Sequence, residues 1–335
     1  MGGRRILAGI VGGAIAIALL LWALRGVHLG EVARQIRDAD PWPLALGVVL
    51  ATLTFPMRLV RWRLLLRSQT GGPLAAAPLW HAIAIGFMAN NLLPFRAGEL
   101  VRTFAATKLS GARFTAAMSS IAVERVFDGL ACVGLLGVGL LASDLPAGVV
   151  VGGVSLARAA QVAGIISFGA LVAAGAVVAF PVAAERLIRR LLPAGRMTDR
   201  LISIIEGLRH GLASLRSPVL VARVSLWSLA LWLVNAAALY VSFAAFDIPV
   251  GYGGALLLQG VLVIGISVQL TPGFVGQFEA AIVAALALYG ISNQVASSYA
   301  IAYHGATFLP ITLAGAWSLA RTPVELSDLR GASRP

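Results

Sequence analysis

Long apolar runs separated by short charged stretches dominate this chain. An α-helix rises about 1.5 Å per residue, so about 20 apolar residues cross a hydrocarbon layer of about 30 Å. Six runs reach this length and predict full transmembrane helices at residues 6–24, 43–66, 114–141, 161–181, 219–246 and 295–319. The first run meets Arg25 and a polar loop rather than a small-residue cleavage site, so we expect it to stay in the membrane as an anchor.

Two further apolar segments, 79–93 and 255–270, contain only 15 and 16 residues. As helices they span about 23 Å, which is short for a crossing. Each ends at a proline and is followed by a second helical pattern, after "PFRAGE" from Pro94 and "PGFVGQFE" from Pro272. A broken backbone at membrane depth is tolerated only where protein or water satisfies the freed polar groups. The pattern therefore predicts two re-entrant helical hairpins, which dip into the bilayer without crossing it.

The positions of the arginines predict the orientation of the spans, because basic residues mark the cytoplasmic ends of short loops. Arg4 and Arg5 precede the first span, and four arginines between residues 58 and 67 end the second span without any acidic residue. The loop at 182–217, which we expect to be amphipathic and cytoplasmic, holds seven arginines against three acids. The short C-terminal tail at 321–335 adds three arginines. Both termini are therefore expected inside.

With this orientation the two hairpins insert from opposite faces, the one at 79–109 from the cytoplasm and the one at 252–290 from outside. They belong to two halves of a single all-α transmembrane domain, residues 1–142 and 157–320, as inverted-topology repeats. Paired interrupted segments in two halves point to the binding site of a transporter. The alternative interpretation is that both segments are ordinary short buried helices joined by proline-containing turns.

The composition is that of an integral membrane protein. Of 335 residues, 59% are apolar and 12% charged, and the mean hydropathy is +0.89. The net charge of +12 comes from arginines that flank apolar runs, which favours contact with an anionic leaflet over nucleic-acid binding. The single cysteine, Cys132, excludes disulfides and multi-cysteine metal sites, and no metalloprotease or phosphate-loop motif is present. We therefore expect no metal, no cofactor and no enzymatic activity.

Ionisable side chains lie within or beside the apolar segments, where each costs several kcal/mol unless it is paired or hydrated. Glu124 and Asp128 are four residues apart and share one helix face, from which Arg125 points about 100° away. A second set, with a spacing of three residues and hence also on one face, consists of Arg96, Glu99 and Arg102. One interpretation is a salt-bridge network that holds two helices together. The other is a partly hydrated pocket whose arginines bind a phosphate group.

Polar groups near the hairpin tips extend the candidate site. The neutral candidates, which could bind a head group or equally cap their own helices, are Asn90, Asn91 and Thr271. Helix starts near Arg96 and Gly276 would point positive dipole ends at the same anion. His304 in the last span is a further candidate, although a lone histidine there is more often a hydrogen-bond partner than a proton relay.

The sequence resembles the transmembrane region of the lysylphosphatidylglycerol synthase family in four stretches, "NNLLPFRAGELVRTF", "SSIAVERVFDGL", "TPGFVGQFEAAI" and "AYHGATFLP". The resemblance covers nearly the whole chain and implies that its motif positions form the site: Asn90, Pro94, Arg96, Gly98, Glu99, Glu124, Arg125, Asp128, Pro272, Gly273, Gly276 and Glu279. Members of the family that make the aminoacylated lipid carry a soluble catalytic domain after the membrane part. Because this chain stops at Pro335, the resemblance implies the lipid-translocating part without the synthase domain.

We therefore expect a flippase or scramblase-like lipid transporter in the cytoplasmic (inner) membrane. Its substrate would be an anionic phospholipid or a polyprenyl-phosphate-type lipid. Two alternatives stay open: a membrane-embedded lipid-phosphate transferase with Glu124 or Asp128 as base, and a non-transporting membrane subunit of a lipid or glycan synthesis complex. The candidate protein partners are a second copy of the chain, in a homodimer, and a separately encoded synthase or glycosyltransferase.

Overall fold

The computed structural model describes residues 18, 20–68, 72–142, 145, 150–151, 154–155, 158, 161–166, 169, 181–191, 195 and 217–324. Its described α-helices, numbered in chain order, are α1 (Leu29–Asp38), α2 (Pro41–Leu65), α3 (Ala76–Leu92), α4 (Ala97–Ser110), α5 (Phe114–Ala142), α6 (Pro181–Leu191), α7 (Pro218–Phe243), α8 (Tyr252–Gly265), α9 (Gln277–Ala287) and α10 (Asn293–Ala320). Short 3₁₀ turns lie at Ala244–Phe246 and Pro272–Phe274. Two-residue strands, β1 (Val150–Val151) and β2 (Val154–Ser155), pair antiparallel.

Local sequence signals set several helix ends. α2 begins at Pro41, where a backbone N–H is not needed, and the Asp40 carboxylate accepts a hydrogen bond from the N–H of Trp42 at 3.0 Å. α10 begins after Ser292, whose hydroxyl accepts a backbone N–H of the first turn at 3.3 Å. α4 ends at Gly111, whose φ of 69° is the left-handed conformation that glycine adopts without strain. The predicted spans at 43–66 and 295–319 therefore begin within two residues of the observed starts of α2 and α10.

Three described helices are long and apolar enough to cross a membrane: Pro41–Leu65, Phe114–Ala142 and Val219–Phe246. They confirm three of the six predicted spans and make the chain a multi-pass membrane protein. The predicted span at 295–319 forms α10, which has 28 residues and is long enough to cross a membrane. Its composition is not apolar enough to include it among these three helices. The predicted spans at 6–24 and 161–181 lie for the most part outside the described residues.

Each short apolar segment forms one helix, and a second helix follows it after a break, as predicted. α3 packs along α4, and α8 packs along α9. The first break covers residues 93–96, where Phe95 and Arg96 adopt left-handed backbone conformations with φ of 58° and 52°. The second break contains a 3₁₀ turn and left-handed glycines at Gly273 and Gly276. The order helix, break, helix is thus present at both places, whereas insertion of the two hairpins from opposite membrane faces stays a prediction.

The apolar interior has two main clusters, each containing one of the broken helix pairs. The first joins α2, α3, α4 and α5 through buried side chains such as Trp62 and Ile83. The second joins α7, α8, α9 and α10 through buried side chains such as Ile282 and Tyr299. Packing of α2 against α7 and of α5 against α8 connects the two clusters. The charged residues of the candidate site lie within the first cluster, on α2, α4 and α5, and they bond α7 through Ser228 and Trp232.

Candidate functional site

Five arginines and three carboxylates come together around the interior faces of α2, α4 and α5. This charged cluster consists of Arg58, Arg61, Arg96, Glu99, Arg102, Glu124, Arg125 and Asp128. Six of its eight members are residues that the sequence singled out, and a continuous chain of ion pairs joins them. The two additions, Arg58 and Arg61, both come from α2.

Arg61 and Asp128 form a buried two-point ion pair at the centre of the cluster. Arg61 donates from Nη1 to Oδ1 at 2.5 Å and from Nη2 to Oδ2 at 3.3 Å. Arg61 Nη1 also donates to the hydroxyl of Ser228 on α7 at 2.7 Å, and Asp128 Oδ1 also accepts from Trp232 Nε1 at 3.0 Å. Two-point arginine–carboxylate bonding is strong and directional, so this pair ties α2, α5 and α7 together.

Arg102 and Glu124 form a second two-point pair, with both side chains buried. Arg102 donates from Nη1 to Oε2 at 2.7 Å and from Nη2 to Oε1 at 3.3 Å. The guanidinium of Arg102 lies over the ring of Trp62, 3.7 Å from its centroid, which adds a cation–π contact. Arg61 Nη2 lies 3.7 Å from Glu124 Oε1 and so links the two pairs. Mutual attraction and hydrogen bonding offset the cost of burying these four charges.

Glu99, Arg96 and Arg125 form the partly exposed margin of the cluster. Arg96 Nη1 donates to Glu99 Oε1 at 3.4 Å. The backbone of Arg125 lies on a different face of α5 from Asp128, but its long side chain folds back, with Nη1 3.6 Å from Asp128 Oδ2 and Nε 3.4 Å from Glu99 Oε1. The cluster therefore runs from fully buried charges to charges that solvent can reach.

The burial of Arg58 and Arg61 corrects the sequence interpretation of the arginines that end the second span. The sequence predicts all of them at the cytoplasmic surface, but Arg58 and Arg61 are 7% and 0% exposed, whereas Arg63 and Arg67 are exposed. Arg58 and Arg61 are three residues apart on α2, so they face the same side, toward Asp128. That spacing within an apolar run is the signal that could have found them. The orientation argument at this end rests on Arg63 and Arg67.

Arg58 has fewer hydrogen-bond acceptors than the other two buried arginines. Its Nη1 lies 3.8 Å from Asp128 Oδ2, and that carboxylate already accepts from Arg61 and Trp232. Its Nε and Nη1 are buried with no hydrogen-bond acceptor among the described residues. The guanidinium lies 5.2 Å from the ring centroid of Phe87 and 5.7 Å from that of Trp232. Arg58 therefore keeps donor capacity that an anion could use.

A cavity of about 220 Å³ lies beside Arg58 and between α2, α3, α7, α8 and α10. Its polar lining includes Thr54, Arg58, Asn91, Asn235, Gln259 and His304. The remaining wall is aromatic and aliphatic, with side chains from the second break contributing as well. An apolar cavity with a few convergent polar groups is typical of a small-molecule binding site.

Gln269 joins the two breaks directly. Its side chain donates to the carbonyl oxygens of Asn90 at 2.6 Å and Leu93 at 2.9 Å, and it accepts the backbone N–H of Arg96 at 3.1 Å. Its own carbonyl accepts the N–H of Phe95 at 3.1 Å. Arg96 Nη2 adds a bond to the carbonyl of Ile266 at 3.2 Å. The backbone groups freed by the first break are thus satisfied by the second, a role for Gln269 that the sequence did not reveal.

The neutral tip residues are largely occupied by local hydrogen bonds. Asn90 Oδ1 accepts the N–H of Gly98 at 2.9 Å, so this α3 side chain bonds the first turn of α4 and not its own helix. Thr271 donates to the carbonyl of Val275 at 2.9 Å within its own break. Asn91 donates to the hydroxyl of Thr312 at 2.7 Å on α10, yet it also lines the cavity. Of the three, Asn91 is the one the structure puts beside a space for a ligand.

The proline and glycine positions shape the breaks. Pro94 opens the first break, and Pro272 starts the 3₁₀ turn of the second. A side chain at Gly98 would place its Cβ 2.0 Å from the carbonyl oxygen of Gly86, so glycine is required for the contact of α3 with α4. Gly273 is similarly confined, since a Cβ there would lie 3.1 Å from the carbonyl oxygen of Asn91. The second break therefore packs closely against the end of α3.

Glu279 and His304 form a separate polar pair, of which His304 lines the cavity and Glu279 does not. Glu279 Oε1 lies 2.6 Å from His304 Nδ1, and Glu279 Oε2 accepts the N–H of Gly276 at 2.7 Å, at the start of α9. The imidazole stacks on Phe278, with ring centroids 4.2 Å apart. The sequence named Glu279, Gly276 and His304 individually, and the structure brings them into one hydrogen-bonded group.

Comparison with known proteins adds relatives to this geometry. The family model described as the lysylphosphatidylglycerol synthase TM region matches residues 9–315. This chain is 29% identical, over 96% of its own length, to the protein "Glycosyltransferase AglD" of Haloferax volcanii. It is 24% identical, over 90% of each chain, to a "UPF0104 membrane protein" of Methanothermobacter thermautotrophicus. The chain spans 55% of the length of the AglD protein. This match covers almost the whole chain, which therefore belongs to the lysylphosphatidylglycerol synthase TM region family.

Proposed function

We propose that this chain moves a lipid with an anionic head group between the two leaflets of the cytoplasmic membrane, as a flippase or scramblase-like transporter, and catalyses no reaction on it. The head group passes through the cavity beside Arg58 while the hydrocarbon tail stays in the bilayer. The observation that carries the proposal is the buried guanidinium of Arg58, a residue that lines this cavity and whose Nε and Nη1 have no hydrogen-bond acceptor among the described residues. An anion supplies the acceptors that the described protein groups do not.

The charge balance of the cluster supports an anionic substrate. Five arginines and three carboxylates give the charged cluster, of which Arg58 lines the cavity, a net charge of +2. Charges attract more strongly in the protein interior than in water, because the effective dielectric constant is lower. A phosphate group can accept two parallel bonds from one guanidinium, which favours a phosphate-bearing head group over a neutral or cationic one.

The size of the cavity supports a small head group. One water occupies about 30 Å³ in the liquid, so 220 Å³ corresponds to about seven waters. A phosphate with a short substituent is small enough for this space. The proposed substrate class is therefore a simple anionic phospholipid or a polyprenyl-phosphate-type lipid.

The two breaks support a mechanism of alternating access. In this proposal the broken helix pairs α3–α4 and α8–α9 insert from opposite faces of the membrane and meet near its midplane, as in transporters built from inverted repeats. Their contact consists of a few hydrogen bonds around Gln269 and of left-handed residues such as Phe95 and Gly273. A small interface of this kind can shift when one half of the protein rocks against the other.

A second candidate function is that of a membrane subunit that holds a lipid-linked substrate for a separate glycosyltransferase. The observation that favours it is the similarity to the protein named Glycosyltransferase AglD, of whose length this chain spans 55%. In this case the cavity binds the lipid phosphate, but the lipid does not cross the membrane.

Reconstitution of the purified chain into liposomes tests the proposal, with phosphatidylglycerol carrying a fluorophore on its tail and a quencher added outside. We expect wild-type protein to expose inner-leaflet lipid to the quencher. The variant Arg58→Gln should slow this by about tenfold or more, since a charge-assisted hydrogen bond contributes about 1.5–3 kcal/mol. The matched control is Arg34→Gln, at an exposed arginine that pairs with Glu31 on α1, and it should transport normally.

The same samples separate the candidate functions. Lipid crossing without chemical change supports the transporter. Lipid binding without crossing supports the membrane-subunit alternative, and a chemically altered lipid on thin-layer chromatography supports an enzyme. Equal transport by wild type and Arg58→Gln would contradict the role of this cavity.

A further inference from the structure

We propose that Arg125 is an entry ligand for the lipid phosphate: it binds the phosphate at the partly exposed margin of the charged cluster and passes it to Arg58 in the cavity. The inference rests on the proposed function, in which Arg58 binds the same phosphate. It adds a second binding position, held by a residue that does not line the cavity.

The ion pairs of Arg125 with the described residues are long. Its Nε lies 3.4 Å from Glu99 Oε1, and its Nη1 lies 3.6 Å from Asp128 Oδ2. Both distances exceed the range of about 2.7–3.2 Å that is usual for an N–H···O hydrogen bond. The Nε atom is buried with no hydrogen-bond acceptor among the described residues, whereas Arg102 donates twice to Glu124, at 2.7 and 3.3 Å. Arg125 can therefore change its partner without losing a well-formed hydrogen bond.

The depth of Arg125 in the membrane calls for water or a phosphate beside it. α5 is one of the three helices long and apolar enough to cross a membrane. Arg125 lies about 17 Å from the start of this helix and about 26 Å from its end. Its side chain is nevertheless 33% exposed. A guanidinium that faces acyl chains at this depth is costly, so the exposed side of Arg125 needs water or the phosphate of a lipid.

Arg58 and Arg125 meet at one oxygen atom. Arg58 Nη1 lies 3.8 Å from Asp128 Oδ2, and Arg125 Nη1 lies 3.6 Å from the same oxygen. The two nitrogens are therefore no farther apart than these two distances together. Arg58 is the buried member of this pair of arginines, and Arg125 is the partly exposed one. A phosphodiester has two free oxygens, so it can bond one guanidinium and then the other in a short step.

The charges around the two arginines favour an anion. The carboxylate of Asp128 already accepts two hydrogen bonds from Arg61, which compensates its negative charge. At the margin, Arg96 and Arg125 stand against the single carboxylate of Glu99. The margin therefore keeps an excess of positive charge on the side from which a head group arrives.

This arrangement gives the two arginines different roles. An arriving phosphate meets Arg125 first, because more of its side chain is exposed. A phosphate that has reached Arg58 lies in the interior, where the effective dielectric constant is lower and the attraction is stronger. Replacing Arg125 should therefore weaken capture of the lipid more than it lowers the maximal transport rate.

Binding of short-chain phosphatidylglycerol to the full chain in a neutral detergent, followed by calorimetry, tests the inference. We expect Arg125→Gln to bind about tenfold more weakly than the wild type, which is the usual effect of losing a charge-assisted hydrogen bond. Arg125→Lys keeps the charge but not the two-point geometry, so its loss should be smaller. Arg34→Gln on α1 is the control and should bind as the wild type does. Thermal unfolding checks that each variant is folded.

A double variant distinguishes a ligand from a residue that merely supports Arg58. If Arg125 binds the phosphate itself, Arg58→Gln combined with Arg125→Gln should bind about tenfold more weakly than Arg58→Gln alone. If Arg125 acts only by holding Arg58 in place, the second substitution has no further effect. The latter result overturns the inference.

Transport in liposomes gives an independent readout. The rate is measured at increasing fractions of phosphatidylglycerol in a neutral lipid, which yields a half-saturating fraction and a maximal rate. We expect Arg125→Gln to raise the half-saturating fraction by about tenfold and to keep a maximal rate close to that of the wild type. A lowered maximal rate with an unchanged half-saturating fraction would overturn the role in capture.

Inorganic phosphate identifies the source of the bound group. It shares the chemistry of the head group but has no tail, so we expect it to compete only weakly with the short-chain lipid for the wild-type protein. Inorganic phosphate that binds as tightly as the lipid would overturn the assignment to a lipid.

The outcomes separate this inference from the proposed function. Binding and half-saturation that Arg125→Gln leaves unchanged overturn the inference and leave the transporter proposal standing. Transport that Arg58→Gln leaves unchanged contradicts the proposed function itself, whatever the result for Arg125.

Discussion

Arg61 on α2 and Asp128 on α5 lie 67 residues apart in the sequence, and their side chains meet as a buried two-point ion pair. This pair uses most of the accepting capacity of Asp128, because Trp232 bonds the same carboxylate. Arg58, one helical turn earlier on α2, is consequently left with a 3.8 Å contact and unused donors beside the cavity. The strong pairing of Arg61 and the unused donors of Arg58 thus both follow from the way in which Asp128 is bonded.

Removing the buried carboxylate should destabilise the protein strongly. Asp128→Asn removes the carboxylate that pairs with Arg61 and Arg58 and leaves Arg61 only its 3.7 Å contact with Glu124. Breaking a buried pair by removing one partner costs about 3–5 kcal/mol. We expect a clear fall in the thermal unfolding midpoint in detergent. Glu31→Gln, which breaks an exposed pair with Arg34 on α1, is the control and should change the free energy of unfolding by less than about 1 kcal/mol. Equal midpoints for the two variants would contradict the assignment.

The close contact of α3 with α4 should not tolerate a methyl group at Gly98. A Cβ there would lie 2.0 Å from the carbonyl oxygen of Gly86 and 2.5 Å from Asn90 Oδ1, so Gly98→Ala has to push the two helices apart. Overpacking of this kind costs about 1–3 kcal/mol or more. Gly129→Ala on α5 meets nothing within 4 Å and should be neutral or stabilising by up to about 1 kcal/mol. Thermal unfolding of both variants, followed by size-exclusion chromatography, decides the point.

The contact between the two breaks should depend on Gln269. Gln269→Ala removes the donors to the carbonyl oxygens of Asn90 and Leu93, and each unsatisfied buried group costs about 1–3 kcal/mol. We expect lower thermal stability and faster proteolysis at the breaks. The exposed Gln161→Ala serves as the control. Unchanged stability of Gln269→Ala would mean that the breaks do not depend on each other.

The depth of the first break in the membrane can be measured by thiol labelling. In a Cys132→Ala background, Phe95→Cys should react with a membrane-impermeant maleimide more slowly than Arg37→Cys, in the loop predicted outside, and Arg67→Cys, in the loop predicted inside. The reason is that a re-entrant tip lies between the two faces. Rapid labelling of Phe95→Cys from outside only, at the rate of Arg37→Cys, would show that α3 crosses the membrane completely.

Much of the helix arrangement could be predicted from residue type alone. The long apolar runs gave three spans that the structure bears out, and the proline and glycine positions located both breaks to within a few residues. These features depend on neighbours along the chain, through hydrogen bonding within a helix and through backbone conformations that proline and glycine favour. They do not require knowledge of which helix packs beside which.

The partners of the charged residues required the tertiary structure. Charge and spacing along the sequence identified Glu124 and Asp128 as expensive groups and offered the helix of Arg102 as one source of counter-ions, but not that Arg61 supplies another from α2. The same is true of Gln269, whose hydrogen bonds to the other break are visible only in the tertiary structure. Burial and pairing of a side chain depend on how distant segments pack against each other. The pattern of residue types along one helix does not show this packing. The sequence by itself therefore determined that a membrane protein with two broken helices must hide these charges. Only the packing of α2 against α5 and α7 decided that Arg61 takes the carboxylate of Asp128 and that Arg58 keeps donors without an acceptor among the described residues.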